Sequence, residues 1–126
     1  MNARILLLPL TLSLAILTPA CRSTNAYDLG SEADRVGVVV QNDNFADFDL
    51  YAVASGLATR LGTVNGGSTQ HFDLNSSMYN ASDFRIVGTP IGGNGRASTG
   101  PLAVTRGRTI YFTIAPLISA SSVSIR

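Results

Sequence analysis

The pattern of apolar and polar positions changes character once along the chain. Ile5-Leu-Leu-Leu-Pro-Leu-Thr-Leu-Ser-Leu-Ala-Ile-Leu-Thr-Pro-Ala20 is an uncharged, mostly apolar run preceded by Arg4. At 1.5 Å rise per residue it spans roughly 24 Å, short of the ~30 Å hydrocarbon core of a bilayer. Pro9 and Pro19 also weaken a continuous helix. Residues 1–20 therefore read as an export signal or a retained membrane anchor, and residues 21–34, which keep no sustained period, as a tether. From Arg35 onward the chain consists of short β-type runs separated by turn signals about every 8 to 12 residues, the spacing of a sandwich or barrel. After Ala20 no segment sustains a helical period.

The runs predict strands in order. Arg35–Gln41 is rich in Val. In Phe48–Ala54, Phe48, Leu50 and Ala52 alternate with Tyr51 and Val53, so both faces are apolar and the strand belongs inside a sheet. Thr59–Val64 and Thr69–Leu74 flank Asn65-Gly66-Gly67-Ser68, a strong hairpin signal because Asn and Gly tolerate positive φ. In the second of these, Phe72 and Leu74 share one face while Thr69, His71 and Asp73 share the other. Phe84–Gly88, Leu102–Val104, Thr109–Ile114 and Ser122–Ile125 complete the set, with a glycine-rich loop over Thr89–Gly100 and a turn at Arg106-Gly107-Arg108. The expected architecture is all-β, a single antiparallel β-sandwich of about seven or eight strands over residues 35–126.

Size and composition narrow this picture. A chain of 126 residues and 13.2 kDa has room for one ordinary domain. Charged residues make up 13%, about half the usual share, and the net charge is +1 with no Lys in the chain. Without residues 1–20, Arg4 is lost and the remaining Arg and acidic residues are equal in number. That balance argues against a nucleic-acid partner, whose phosphates need clustered cations. One Cys precludes an internal disulfide, and the lack of Trp argues against an antibody-type domain with its Cys, Trp, Cys constellation.

Candidate chemistry is sparse. His71 is the sole histidine, and Asp73 on the same strand face lies about 7 Å along the strand, which suits an exposed polar face far better than a catalytic pair. One His and one Cys do not supply a zinc site. In Asn42-Asp43-Asn44-Phe45-Ala46-Asp47-Phe48-Asp49, the carboxylates Asp43, Asp47 and Asp49 are weak candidates for Ca²⁺, because the spacing departs from the calcium-loop pattern and Asn/Asp clusters also cap turns. Gly92-Gly93-Asn94-Gly95 leads into Gly100-Pro101 instead of a helix, which argues against a phosphate loop. A sugar site would have only Tyr51 and Tyr79 as stacking platforms. Arg106 and Arg108 fit a solvated turn, with a lipid head group or a partner carboxylate as the alternative contact.

Leu17-Thr18-Pro19-Ala20-Cys21 resembles the lipobox of bacterial lipoproteins, although Thr18 occupies the place three before the cysteine where that family usually has Leu. The resemblance implies lipidation of Cys21, removal of residues 1–20, and, with Arg22 after the cysteine, an outer-membrane address facing the periplasm. Several acyl chains would anchor firmly, since each buried CH₂ contributes about 0.8 kcal/mol. Ordinary secretion with cleavage after Ala20 or near Ala26, and a retained N-terminal helix, stay open. The strand pattern resembles the immunoglobulin-like and transthyretin-like sandwiches of small bacterial envelope proteins. The implied function is a non-enzymatic, lipid-anchored envelope protein that binds or supports another envelope or membrane protein and needs no cofactor. The alternative is a calcium- or carbohydrate-binding module of the envelope.

Overall fold

The computed structural model describes residues 34–126; the lipobox-like segment, Cys21 and most of the tether lie outside them. Eight strands, β1 Val36–Asn42, β2 Phe48–Ala54, β3 Leu57–Val64, β4 Thr69–Leu74, β5 Arg85–Pro90, β6 Ala97–Ser98, β7 Thr109–Ile114 and β8 Ser122–Ile125, form two sheets. One sheet has the order β4-β1-β7-β8 and the other β3-β2-β5-β6. A single helical turn, α1 Ser76–Tyr79, and a 3-10 turn, Ile118–Ala120, complete the described chain.

The alternation in the sequence builds the core directly. Val36, Val38 and Val40 of β1, Phe48, Leu50 and Ala52 of β2, and Ile110, Phe112 and Ile114 of β7 all point inward and are buried. Phe84, Ile86, Val64, Leu74 and Tyr79 join them in one cluster between the sheets. The central position of β2 follows from its two-sided apolar character: β3 pairs along one edge and β5 along the other. The same holds for β1, flanked by β4 and β7.

Four expectations are corrected. The Asn65–Ser68 turn reverses the chain, with Gly67 at φ 70° and the Ser68 N–H on the Asn65 carbonyl at 3.2 Å. Its two strands nevertheless belong to different sheets, so the turn is a crossover and not a hairpin loop. The hairpin partner of β3 is β2, joined through Ser55 and Gly56 at φ 51° and 77°, the doubly positive φ of a two-residue primed turn. Second, β1 and β7 run parallel, with Gly37 opposite Thr109 and Asn42 opposite Ile114, in an otherwise antiparallel pairing scheme. Third, the strand expected at Leu102–Val104 does not form. Gly100 and Pro101 immediately precede it, and the Leu102 N–H donates to the Phe84 carbonyl at 2.7 Å without a ladder following. Fourth, the glycine-rich segment expected to be all loop contains β6, which pairs with Val87 and Gly88.

A bulge shapes the outer face of the second sheet. Leu50 pairs with Gly62 but Tyr51 with Arg60, so Leu61 is the extra residue. Without it, Arg60 and Thr63, three apart, would point to opposite faces; with it both reach Asp49.

Candidate functional site

The strand directions give the sandwich two chemically different ends. At one end, the chain emerges from the undescribed N-terminal segment at Asp34. The Arg106-Gly107-Arg108 turn lies against it: the Gly107 N–H donates to the Arg35 carbonyl and the Gly37 N–H to the Arg108 carbonyl, each at 3.1 Å. Arg106 also meets the Asp34 carboxylate at 3.4 Å. Arg126 joins the same end through two backbone hydrogen bonds with Thr109, and its guanidinium sits 5.3 Å from the centre of the Tyr111 ring. A shallow depression of about 320 Å³ lies among Arg35, Gly37, Asp73, Gly107, Arg108 and Thr109. The turn expected at Arg106–Arg108 forms with all three residues exposed, and its arginines gather where the tether arrives.

The opposite end collects the β1–β2 loop, the β3–β4 turn, the β5–β6 loop and the β7–β8 loop. Asn42 organises it. Asn42 is fully buried, and its Nδ2 donates to the Ala46 carbonyl at 2.8 Å and the Val64 carbonyl at 3.3 Å, while its Oδ1 accepts the Asn44 N–H at 3.0 Å. Asn44 continues the network. Its Oδ1 accepts the Ala46 N–H, and its Nδ2 reaches the carbonyls of Ala115 at 3.3 Å and Pro116 at 3.0 Å. The two asparagines of this segment act here as backbone caps that bind neighbouring loops together.

The three carboxylates of that segment have separate partners. Asp43 accepts from Gln41 at 2.8 Å, Asp47 from the Gly66 N–H at 2.9 Å, and Asp49 from Arg60 at 2.7 Å and Thr63 at 2.6 Å. Among the described residues, no group of three or more His, Cys, Asp or Glu side chains is placed to hold a metal ion. His71 and Asp73 are both exposed on the outer face of β4, with no hydrogen bond between them.

Of the two tyrosines considered for stacking, Tyr79 is unsuitable. It is 5% exposed and its hydroxyl donates to the Asp34 carbonyl at 2.6 Å, tying α1 to the start of the domain. Tyr51 lines a shallow depression of about 380 Å³ with Val53, Val87, Arg85 and Arg96 on the outer face of the second sheet.

Sequence reasoning missed the apolar tip. Phe45, at the apex of the Asn42–Asn44 network, is 98% exposed, and Leu117 and Ile91 on adjoining loops are 69% and 55% exposed. Asn44 is bonded to the loop that carries Leu117, and the Ile91 N–H donates to the Asp47 carbonyl at 2.8 Å. The three side chains therefore rise from loops fastened directly to one another. The one signal in the sequence was an aromatic residue inside a polar turn, where an apolar side chain has no core to enter.

Gly66 makes the close packing of this end possible. A Cβ there would meet the Phe45 carbonyl oxygen at 2.3 Å and the Asn44 carbonyl oxygen at 3.0 Å, both backbone atoms that cannot swing away. Gly66→Ala is expected to lower stability by about 2 kcal/mol and to shift the amide resonances of residues 43–47, as measured by urea unfolding and by heteronuclear NMR. An unshifted loop would contradict the fit described.

Acid sensitivity has two sources. The Thr63 hydroxyl and the Arg60 guanidinium hold the Asp49 carboxyl below its usual pKa, and the Ser55 N–H does the same for Asp83. Both folded-state values lie below the unfolded ones. The stabilisation they supply is therefore fully present above the unfolded carboxylate range near pH 4 and disappears as pH falls through the depressed values. Unfolding midpoints measured from about pH 6 to pH 3 should fall, and Asp83→Asn should flatten that fall.

No protein-family model matches the chain, and no curated protein matches it. Among the solved structures similar to it is an NMR structure of a protein from Eubacterium rectale, with a TM-score of 0.48 and 10% identity, covering 76% of this chain and 92% of that one.

Proposed function

We propose that the protein is a non-enzymatic lipoprotein of the bacterial cell envelope, anchored through an acylated Cys21 in the outer membrane and facing the periplasm, where its immunoglobulin-like sandwich binds or braces another envelope protein. The observation that carries this reading is the collection of arginines at the end where the tether joins. Arg35, Arg85, Arg106, Arg108 and Arg126 stand there, against Asp34, Asp73 and Asp83 as the acids of the same end. A cationic end next to a lipid anchor suits an anionic head-group surface, because juxtamembrane cations add roughly 1 kcal/mol each to attachment. Acyl chains and basic residues acting together give durable attachment where either alone is marginal.

The lipobox-like Leu17-Thr18-Pro19-Ala20-Cys21 supports the anchor. The tether from Arg22 to Asp34 extends at most ~45 Å, long enough to hold the domain just off the bilayer. The polar, weakly charged Ser/Thr surface and the exposed, unpaired His71 and Asp73 support a binding role over a catalytic one.

Intact mass of the protein extracted from the membranes of its native host tests the anchor. A chain beginning at Cys21 and carrying acyl chains is expected, and Cys21→Ser should move the protein out of the membrane fraction. An unprocessed chain would instead make residues 5–20 a retained helix, and a soluble chain cleaved near Ala26 would make it an ordinary secreted protein.

A further inference from the structure

The domain is polar in a second sense, because what it presents away from the tether is apolar. Phe45, Leu117 and Ile91 crown the end opposite Asp34. Seven-residue strands such as β1 put roughly 23 Å between the two ends. A Phe that is 98% exposed has no role in the fold of the described domain. Yet the backbone beneath it is held from several sides. Asn42 and Asn44 together make six side-chain hydrogen bonds to backbone groups, the Gly67 N–H donates to the Asn44 carbonyl at 3.2 Å, and Gly66 packs against the Phe45 carbonyl. An apolar side chain on a preset loop loses little freedom when it is captured, which is the arrangement that makes an efficient anchor residue.

Charge selects the occupant. Asp43 and Asp47 flank Phe45 within the same loop, while the described domain's arginines concentrate at the far end, Arg96 being the one cation on the tip loops. Carboxylates beside an inserting aromatic are repelled by anionic head groups, and two copies meeting tip to tip would oppose like charges. We infer that the Phe45 tip is a docking site for a protein partner that offers an apolar pocket rimmed by cationic groups, with Leu117 and Ile91 completing the apolar contact and Asp43 meeting the rim. The inference rests on the binding role proposed above but not on the lipid anchor.

The test uses the full chain in its native host with a photoreactive benzoylphenylalanine at position 45, and at Leu57 as control. Leu57 is 71% exposed and lies at the tether end, beside the Ser55-Gly56 turn. Irradiation should give one discrete protein adduct from position 45 and not from position 57. The protein identified in that adduct, once purified, should bind the full chain about thirtyfold more weakly when Phe45→Ser is introduced. Asp43→Lys should also weaken binding, most at low salt, and Leu57→Ser should leave it unchanged. Phe45→Ser must keep the wild-type unfolding midpoint, which separates docking from folding. The soluble Cys21→Ser form should bind the same partner equally well, so failure of the anchor and failure of the docking site are distinguishable. An adduct of two copies of this chain would overturn the inference in favour of self-association. Phe45-dependent binding to vesicles of phosphatidylethanolamine and phosphatidylglycerol would overturn it in favour of a lipid surface. Equal affinity of Phe45→Ser and wild type would remove the site altogether.

Discussion

Asn42→Ala is expected to lower the unfolding free energy by about 3 kcal/mol, a large effect for the removal of one side-chain amide. The reason is the number of groups left behind. Asn42 is fully buried, and its loss would strand the carbonyls of Ala46 and Val64 and the N–H of Asn44. Each buried polar group left without a partner costs about 1–3 kcal/mol, moderated here because Ala46 and Asn44 are only partly buried and water can reach them. Asn44→Ala should cost less, near 1 kcal/mol, since the carbonyls of Ala115 and Pro116 lie closer to solvent. Urea unfolding followed by far-UV circular dichroism measures both, the chain having no Trp for fluorescence. If Asn42→Ala were as mild as Asn44→Ala, the network would not be the element that holds the loops together.

Phe112→Ala should be more damaging still, with a loss of about 4 kcal/mol. Phe112 is 1% exposed in the middle of β7, opposite Val40 on one side and Val123 on the other. Both neighbouring strands keep its surroundings fixed, so the cavity left by the ring cannot collapse and its surface loses both transfer and dispersion energy. Val123→Ala, on edge strand β8 and partly exposed, makes the contrast, with an expected loss near 1 kcal/mol. Thermal and urea unfolding of the two variants side by side checks the ranking. Equal losses would mean that β8 is as firmly set as β7.

The core was legible in the sequence because burial on one sheet face writes a period of two. The inward triplet Ile110/Phe112/Ile114 can be read directly from it, and Phe48/Leu50/Ala52 as one of two apolar faces, whereas the continuous Val38-Val39-Val40 leaves the inward side of β1 open until the structure shows Val36, Val38 and Val40 buried. Strand partners were not legible in the same way. Asn65-Gly66-Gly67-Ser68 specifies a reversal of direction, but whether the reversed strand rejoins its predecessor or crosses to the other sheet depends on which edges are already occupied. β2 had been taken up by β3 through the less conspicuous Ser55-Gly56 turn, and β1 supplied the edge for β4. β6 escaped notice because two residues are too few to show alternation, and Leu102–Val104 shows an apolar run that packs against the core margin without a ladder.

The Asn42–Asp49 loop was legible as a capped turn from its composition, and the structure shows Asn42 and Asn44 in that part. That Phe45 would stand almost wholly in water was beyond reach, since exposure at a loop apex is set by neighbouring loops that arrive from distant parts of the chain. Tyr79 was misread for the opposite reason. It was considered as a stacking platform, but α1 turns the ring inward and the Asp34 carbonyl satisfies its one polar atom.

The parallel pairing of β1 with β7 bears on the order in which the domain assembles. The first strand of the domain has β4 and β7 as its neighbours, and the register of Val38 with Ile110 closes a loop that includes almost every other strand. Closing so long a loop is entropically costly and slow compared with forming the β2–β3 hairpin. Val36, Val38 and Val40 therefore lack half of their sheet until residues beyond 109 are available. A chain emerging N-terminus first, from a ribosome or through a membrane pore, would leave β1 without its second neighbour until residues 109–114 had passed.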